Sequence, residues 1–168
     1  MHQEELRKLL TDFTAERLAL LQRHEAGARV VSNYDYNNAY QYIISREETH
    51  LGWLGSALTD IGQSMPEPAA AIAVPVVAKP GKKADPLAFR SVLDDDAQGL
   101  SAFVARWRPQ IAAMTQARHR TMLDVVLGES MEHSRLFAQA SGGFEDVLGK
   151  RTAGAARVGA VLPARWQE

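Results

Sequence analysis

The sequence predicts an all-α chain folded as a bundle of four helices. Two observations carry this expectation: each half of the chain repeats apolar residues every three or four positions, and a Pro-rich stretch of about twenty residues separates the halves. The length, 168 residues, suits one domain with its own core, at roughly 150 residues per domain.

In the first half, residues 4–28 place Leu6, Leu9, Leu10, Phe13, Leu20 and Leu21 on one face of an amphipathic helix. Gly27, Ser32, Asn33, Asp35, Asn37 and Asn38 favour turns and caps, so a second helix begins near Tyr34. It runs to Ile61, with Tyr36, Tyr40, Ile43, Glu47, His50 and Leu54 on a single stripe and Gly62 as its C-cap.

Residues 64–90 contain Pro66, Pro68, Pro75, Pro80 and Pro86, which excludes a helix and implies extended backbone. At ~3.3 Å per residue this segment can cross the ~40 Å length of a long helix, so the second and third helices are expected to run parallel. Asp94, Asp95 and Asp96 suit the third helix's N-terminus. Pro109 either kinks a long helix or starts a new one. Residues 111–139 then form the fourth helix, with Met122, Val126, Glu129, His133 and Leu136 on one stripe, ended by Ser141, Gly142 and Gly143. The bundle is thus expected over residues 1–143. Residues 144–168 read as an irregular tail packed on it, with a short helix near 145–148 and Trp166 as its anchor.

The chain has no cysteine, five histidines and a formal net charge of -1. Disulfides, thiolate metal sites and cysteine nucleophiles are excluded, and a metal could be held only by nitrogen and oxygen. Near-neutrality argues against a broad nucleic-acid-binding face. The charged N-terminus lacks a signal peptide's apolar core, and no apolar run reaches the ~18 residues of a membrane span. A cytoplasmic protein with no nucleic-acid or membrane partner is expected. No histidine is placed for a hydrolase triad, and Gly142-Gly143 does not make a phosphate loop.

Two acid and imidazole pairs stand out. Glu47 and His50 lie one turn apart on the core-facing stripe of the second helix, and Glu129 and His133 do so on the fourth. A core-facing carboxylate is costly unless a cation or hydrogen bonds meet it. Glu132 adjoins the second pair as a ligand, an acceptor for His133 or a solvated group. Equal distance from a turn near residue 31 or 32 sets Glu16 opposite Glu47, and Glu16 interrupts the apolar line Leu6, Leu9, Phe13 and Leu20. His2 and His24 read as surface groups, Tyr36 and Tyr40 as core packing. His119 lies about 21 Å along the helix from His133, too far to share one ion.

Glu16, the run Ser45-Arg46-Glu47-Glu48-Thr49-His50 followed by Leu54, and the run from Leu123 to His133 together resemble the ferritin-like superfamily of bacterioferritins and rubrerythrins, over residues 4–140. The resemblance implies a left-handed four-helix bundle with a long crossover and a metal site between its helices. The family's second Glu-x-x-His would put Glu at position 130, where this chain has Ser130 and the acid falls at Glu129. The bridging glutamate of the third helix has no clear counterpart, although Asp95 or Asp96 lies at about the expected distance. The implied ligands are Glu16, Glu47, His50, Glu129 and His133, with Glu132 and Asp96 as further candidates. The implied cofactor is a transition metal, iron first and manganese or zinc as alternatives, mono- or dinuclear, with oxygen or peroxide chemistry and a homodimer as the assembly. The competing expectation is a non-catalytic bundle serving assembly or partner binding, its acid and imidazole pairs satisfying one another and Trp53, Trp107 and Trp166 as candidate anchors.

Overall fold

The computed structural model of the chain describes residues 3–77 and 86–149. The regular elements among them are all helical: α1 (Gln3–Val30), α2 (Tyr34–Asp60), a 3-10 turn at Pro86–Phe89, α3 (Arg90–Ala112) and α4 (Ala117–Ser141). The fold is an all-α four-helix bundle made of two hairpins, α1 on α2 and α3 on α4.

Short polar devices set the helix ends. Asn33 caps α2 by accepting the Tyr36 N–H at 3.1 Å. The Asn37 amide donates to the carbonyls of Ala28 at 2.7 Å and Val31 at 3.2 Å, serving acceptors left over where α1 stops. α2 closes at Gly62, whose φ of 73° lets Gly62 N–H reach the Thr59 carbonyl and Gln63 N–H the Leu58 carbonyl. Gly143, with φ of 91°, closes α4 in the same way.

Cross-helix contacts fix the topology. Glu16 of α1 meets Arg106 of α3 while Arg23 meets Asp95, so α1 and α3 are antiparallel. Arg46 of α2 meets Glu129 of α4 while Asp60 meets Arg118, so these two are also antiparallel. α2 and α3 therefore run parallel, the arrangement the crossover's length predicts. The crossover is fastened to the bundle where Ala69 N–H donates to the Ala15 carbonyl at 2.8 Å.

Three boundaries differ from the sequence-based expectation. α3 starts at Arg90, so the three aspartates lie inside the helix instead of capping it. Their partners are tertiary: Asp94 accepts from the Ser141 hydroxyl, Asp95 from Arg23 and Asp96 from Tyr40. Pro109 does not begin a helix. It sits in the last turn of α3, which ends at Ala112, and α4 starts at Ala117 instead of residue 111. Missing one N–H so near a terminus is tolerable. Residues 145–148 form no helix; Gly149 N–H turns back to the Asp146 carbonyl, and Val147 packs into the core. The remainder of the tail, Trp166 included, lies outside the described residues.

The core joins Phe13 of α1 to Phe103 and Trp107 of α3, with ring centroids 5.0 and 5.3 Å apart. Toward the α1–α2 turn, Phe137 of α4 packs on Tyr40 and His24. Gly27 allows α1 to approach α2 there, since a Cβ would stand 2.9 Å from the Tyr40 hydroxyl and 3.0 Å from Arg23 Nη1. Gly27→Ala is expected to destabilise the protein by about 1–3 kcal/mol through overpacking. Urea unfolding checks this, and a midpoint equal to that of the parent chain would contradict the close approach.

Candidate functional site

The second helix presents its predicted stripe to the interior. Tyr36, Tyr40, Ile43, Glu47, His50 and Leu54 are all buried. On α4, Val126, Ser130, His133 and Phe137 are buried, and Glu129 lies at the edge of that face, its side chain 30% exposed. Glu47, His50, Glu129 and His133 are thus drawn into one region between α2 and α4.

The nearest partners of these groups come from α1. Arg17, fully buried, sets Nη2 at 3.1 Å from Glu47 Oε1 and 3.2 Å from His50 Nδ1. His24 Nδ1 lies 2.9 Å from both oxygens of Glu47. A guanidinium can only donate, so His50 Nδ1 accepts, and His50 Nε2 carries the proton that reaches Glu129 at 2.9 Å. Arg46 grips the same Glu129 carboxylate with two bonds, at 2.9 and 2.7 Å.

A second cluster extends the network to α3. Asp96 accepts from the Tyr40 hydroxyl and lies 3.3 Å from Arg23 Nη1, while Arg23 Nη2 donates to Asp95 at 3.1 Å. His24 Nε2 stands 3.7 Å from Asp96 Oδ1, beyond a hydrogen bond. His133 stacks on His50, ring centroids 6.3 Å apart, and its buried Nδ1 has no hydrogen-bond partner.

The remaining predicted residues lie elsewhere. Glu16 accepts from Arg106 Nη1 and the Trp107 indole, each at 2.7 Å, on the α3 side of α1. Equal distance from the turn selects the right turn of α1, but Arg17, one residue on and about 100° around the helix, is the side chain that faces Glu47. Glu132 is exposed and paired with Arg135. His24, read as a surface group, is fully buried. Sequence reasoning missed Arg17, Arg23 and His24 as interior groups, although Phe13, Arg17, Leu20, His24 and Gly27 form a line of three-and-four spacing.

Proton affinities follow from these contacts. Burial acts to raise the Glu47 carboxyl, but His24 and Arg17 beside it prevail and hold it at about 2. Glu129 is also held at about 2, chiefly by its bonds from Arg46. Burial lowers His133 to about 4 and also lowers His50, which Arg17 depresses further. Burial raises Asp96 against the pull of His24 and Arg23. At neutral pH the site therefore holds ionised Glu47 and Glu129, cationic Arg17 and Arg46, and neutral His50 and His133.

The donors do not fit a dinuclear metal centre. Both Glu47 oxygens and both Glu129 oxygens are occupied by cationic or imidazole donors, and Arg17 brings its positive charge into the space a dication would need. Among the described residues no group of three His, Asp or Glu side chains could hold a metal ion. No helix among them is long and apolar enough to cross a membrane.

No family model and no curated protein matches the chain. Among solved structures it is similar to a ferritin-like, diiron-carboxylate protein from Bacillus anthracis str. Ames, at 16% identity over 89% of this chain and 97% of that one, with a TM-score of 0.47.

His133, His50, Glu47 and Glu129 all lower stability as pH falls, and Asp96, whose carboxyl is raised by burial, opposes them. As pH falls through 6.5 toward about 4, the unfolded chain takes up the His133 proton before the folded one does, and stability is lost. The Glu47 and Glu129 contributions are complete above the ordinary value of 4.5 and are lost from there toward 2. The unfolding free energy is expected to be lower at pH 3 than at pH 7 in urea titrations, the four lowered groups outweighing Asp96. His133→Asn should flatten the limb above pH 4.5, and an unchanged limb would contradict the burial of a neutral imidazole.

Proposed function

We propose that this chain works without a metal, as a non-catalytic four-helix module for assembly or partner binding. The observation that carries this reading is Arg17, a fully buried guanidinium in contact with Glu47 and His50. A buried carboxylate needs a compensating cation, and here the chain supplies it. The interior groups then serve to hold the helices together. Of the candidate anchors, Trp107 is committed to the core against Phe13 and Glu16, whereas Trp53 is 37% exposed on α2 and available to a partner.

A metal-binding reading is favoured by one observation, the unpartnered Nδ1 of His133 beside His50. In that reading Arg17 and Arg46 would have to release Glu47 and Glu129 for these carboxylates, with His50 and His133, to hold a single ion, iron, manganese or zinc, whose role when bound would be redox or oxygen chemistry. Glu16, Glu132 and Asp96 are less suited, being engaged by Arg106 and Trp107, by Arg135, and by Tyr40 and Arg23.

Elemental analysis of untagged protein separates the readings. The metal-free module is expected to carry far less than one equivalent of any transition metal and to take up none in calorimetric titration. Stoichiometric uptake, lost in both Glu47→Ala and Glu129→Ala, would overturn it in favour of the metal site. Independently, Arg17→Met is expected to destabilise the protein by about 3–5 kcal/mol because Glu47 is left buried without its cation. A cost below about 1 kcal/mol in chemical unfolding would show that Glu47 does not depend on Arg17.

A further inference from the structure

The network leaves one sizeable feature of the bundle unused, a groove of about 460 Å³ between α2 and the first half of α4. Trp53 and Ala57 of α2 and Met122 and Val125 of α4 give it apolar walls, joined by Ser56 and Thr121. Trp53 and Val125 keep 37% and 43% of their surface in water. They stand level with each other, because Trp53 is midway between Arg46 and Asp60, which meet Glu129 and Arg118 on either side of Val125. Arg118 is already paired with Asp60 at 3.1 Å, and the Ser56 hydroxyl donates to the Gly52 carbonyl, so neither group calls for a small polar ligand.

The α4 wall is arranged symmetrically about Val125. Arg118 and Glu132 lie seven residues before and after it, about 10 Å each way along one line of the helix. Met122 and Gly128 lie three residues before and after it. Gly128 is exposed, and a Cβ there would meet nothing within 4 Å beyond its own turn of helix, so nothing inside the chain requires the missing side chain. A glycine within a helix costs stability relative to alanine, and it suits a position that another chain approaches closely.

We propose that a second copy of the chain docks here, α4 antiparallel to α4, about a two-fold axis through Val125. This rests on the assembly reading above and names its surface. Such an axis sets each residue before Val125 on the residue equally far after it in the other copy. Met122 then fills the space over the partner's Gly128, which brings that helix close enough to cover Trp53. At both ends Arg118 faces the partner's Glu132, so the charges flanking the apolar centre are opposite in sign where the copies meet. Arg118 keeps Asp60 and Glu132 keeps Arg135, so each end is a neutral cluster of four charges. A parallel arrangement would instead set Arg118 on Arg118 and Glu132 on Glu132.

Sedimentation equilibrium of the full chain is expected to show a monomer–dimer equilibrium. Val125→Asp, at an exposed position, should abolish the dimer and keep the helical circular dichroism spectrum. Gly128→Leu should weaken the dimer at least about tenfold although leucine favours the helix, a loss that a folding defect does not explain. Arg118→Glu and Glu132→Arg, each weakened alone by like charges at both ends, should associate when mixed, since every contact between positions 118 and 132 then joins opposite signs. A monomer at all concentrations overturns the proposal, and if it also takes up no metal the metal-free module stands with another partner in the groove. A dimer indifferent to both Val125→Asp and Gly128→Leu overturns this surface and leaves the assembly reading intact. Charge variants that stay apart on mixing overturn the antiparallel register.

Discussion

A guanidinium enclosed by protein is the constraint around which this bundle is arranged. Taking Arg17 out of water carries an effective penalty of several kcal/mol, and that penalty is offset only while Glu47 Oε1 and His50 Nδ1 remain within about 3 Å of Nη2. Both partners lie on α2, a turn apart, so one side chain of α1 fixes the relative height of the two helices. His24, two turns further along α1, binds Glu47 from the other side. Glu47 is thus held between two points of the same helix, and sliding α1 past α2 by one turn would leave the Arg17 guanidinium and the Glu47 carboxylate buried without each other.

The other helices join through the same groups. His50 passes its Nε2 proton toward Glu129 on α4, which Arg46 anchors from α2. Arg23 and Tyr40 converge on Asp96 of α3. Apolar contacts such as Phe13 with Phe103 supply non-directional attraction and tolerate repacking, whereas the ion pairs accept only one register. Gly27 belongs to this arrangement as well, because its missing Cβ is what lets Tyr40 and Arg23 come close enough to share Asp96.

Much of this was legible in the residues. The three-and-four spacing located the helices, the prolines located the crossover, and the crossover's length implied parallel α2 and α3. Core positions for Glu47, His50 and His133 followed from their stripes. The boundaries of α3 were hidden because Asp94, Asp95 and Asp96 look like caps, and only tertiary partners such as Ser141, Arg23 and Tyr40 explain them inside the helix. Glu16 was misleading for a related reason. Its neighbour Arg17 is the less obvious core residue by composition, yet the stripe through Phe13, Leu20 and Gly27 passes through 17 and 24, not 16.

A buried carboxylate in a sequence announces that a cation is required and says nothing about its source. Metal ions and arginines answer the same electrostatic demand, and both favour acids and histidines placed a turn apart on facing helices. The discriminating residue is on the third face of the site, where a carboxylate would add to a ligand set and an arginine removes the need for one. Position 17 is an arginine here, and its side chain neutralises Glu47 and fixes the tautomer of His50. His133 is left neutral with an open Nδ1, consistent with an interior whose charges already balance through Arg17 and Arg46 against Glu47 and Glu129.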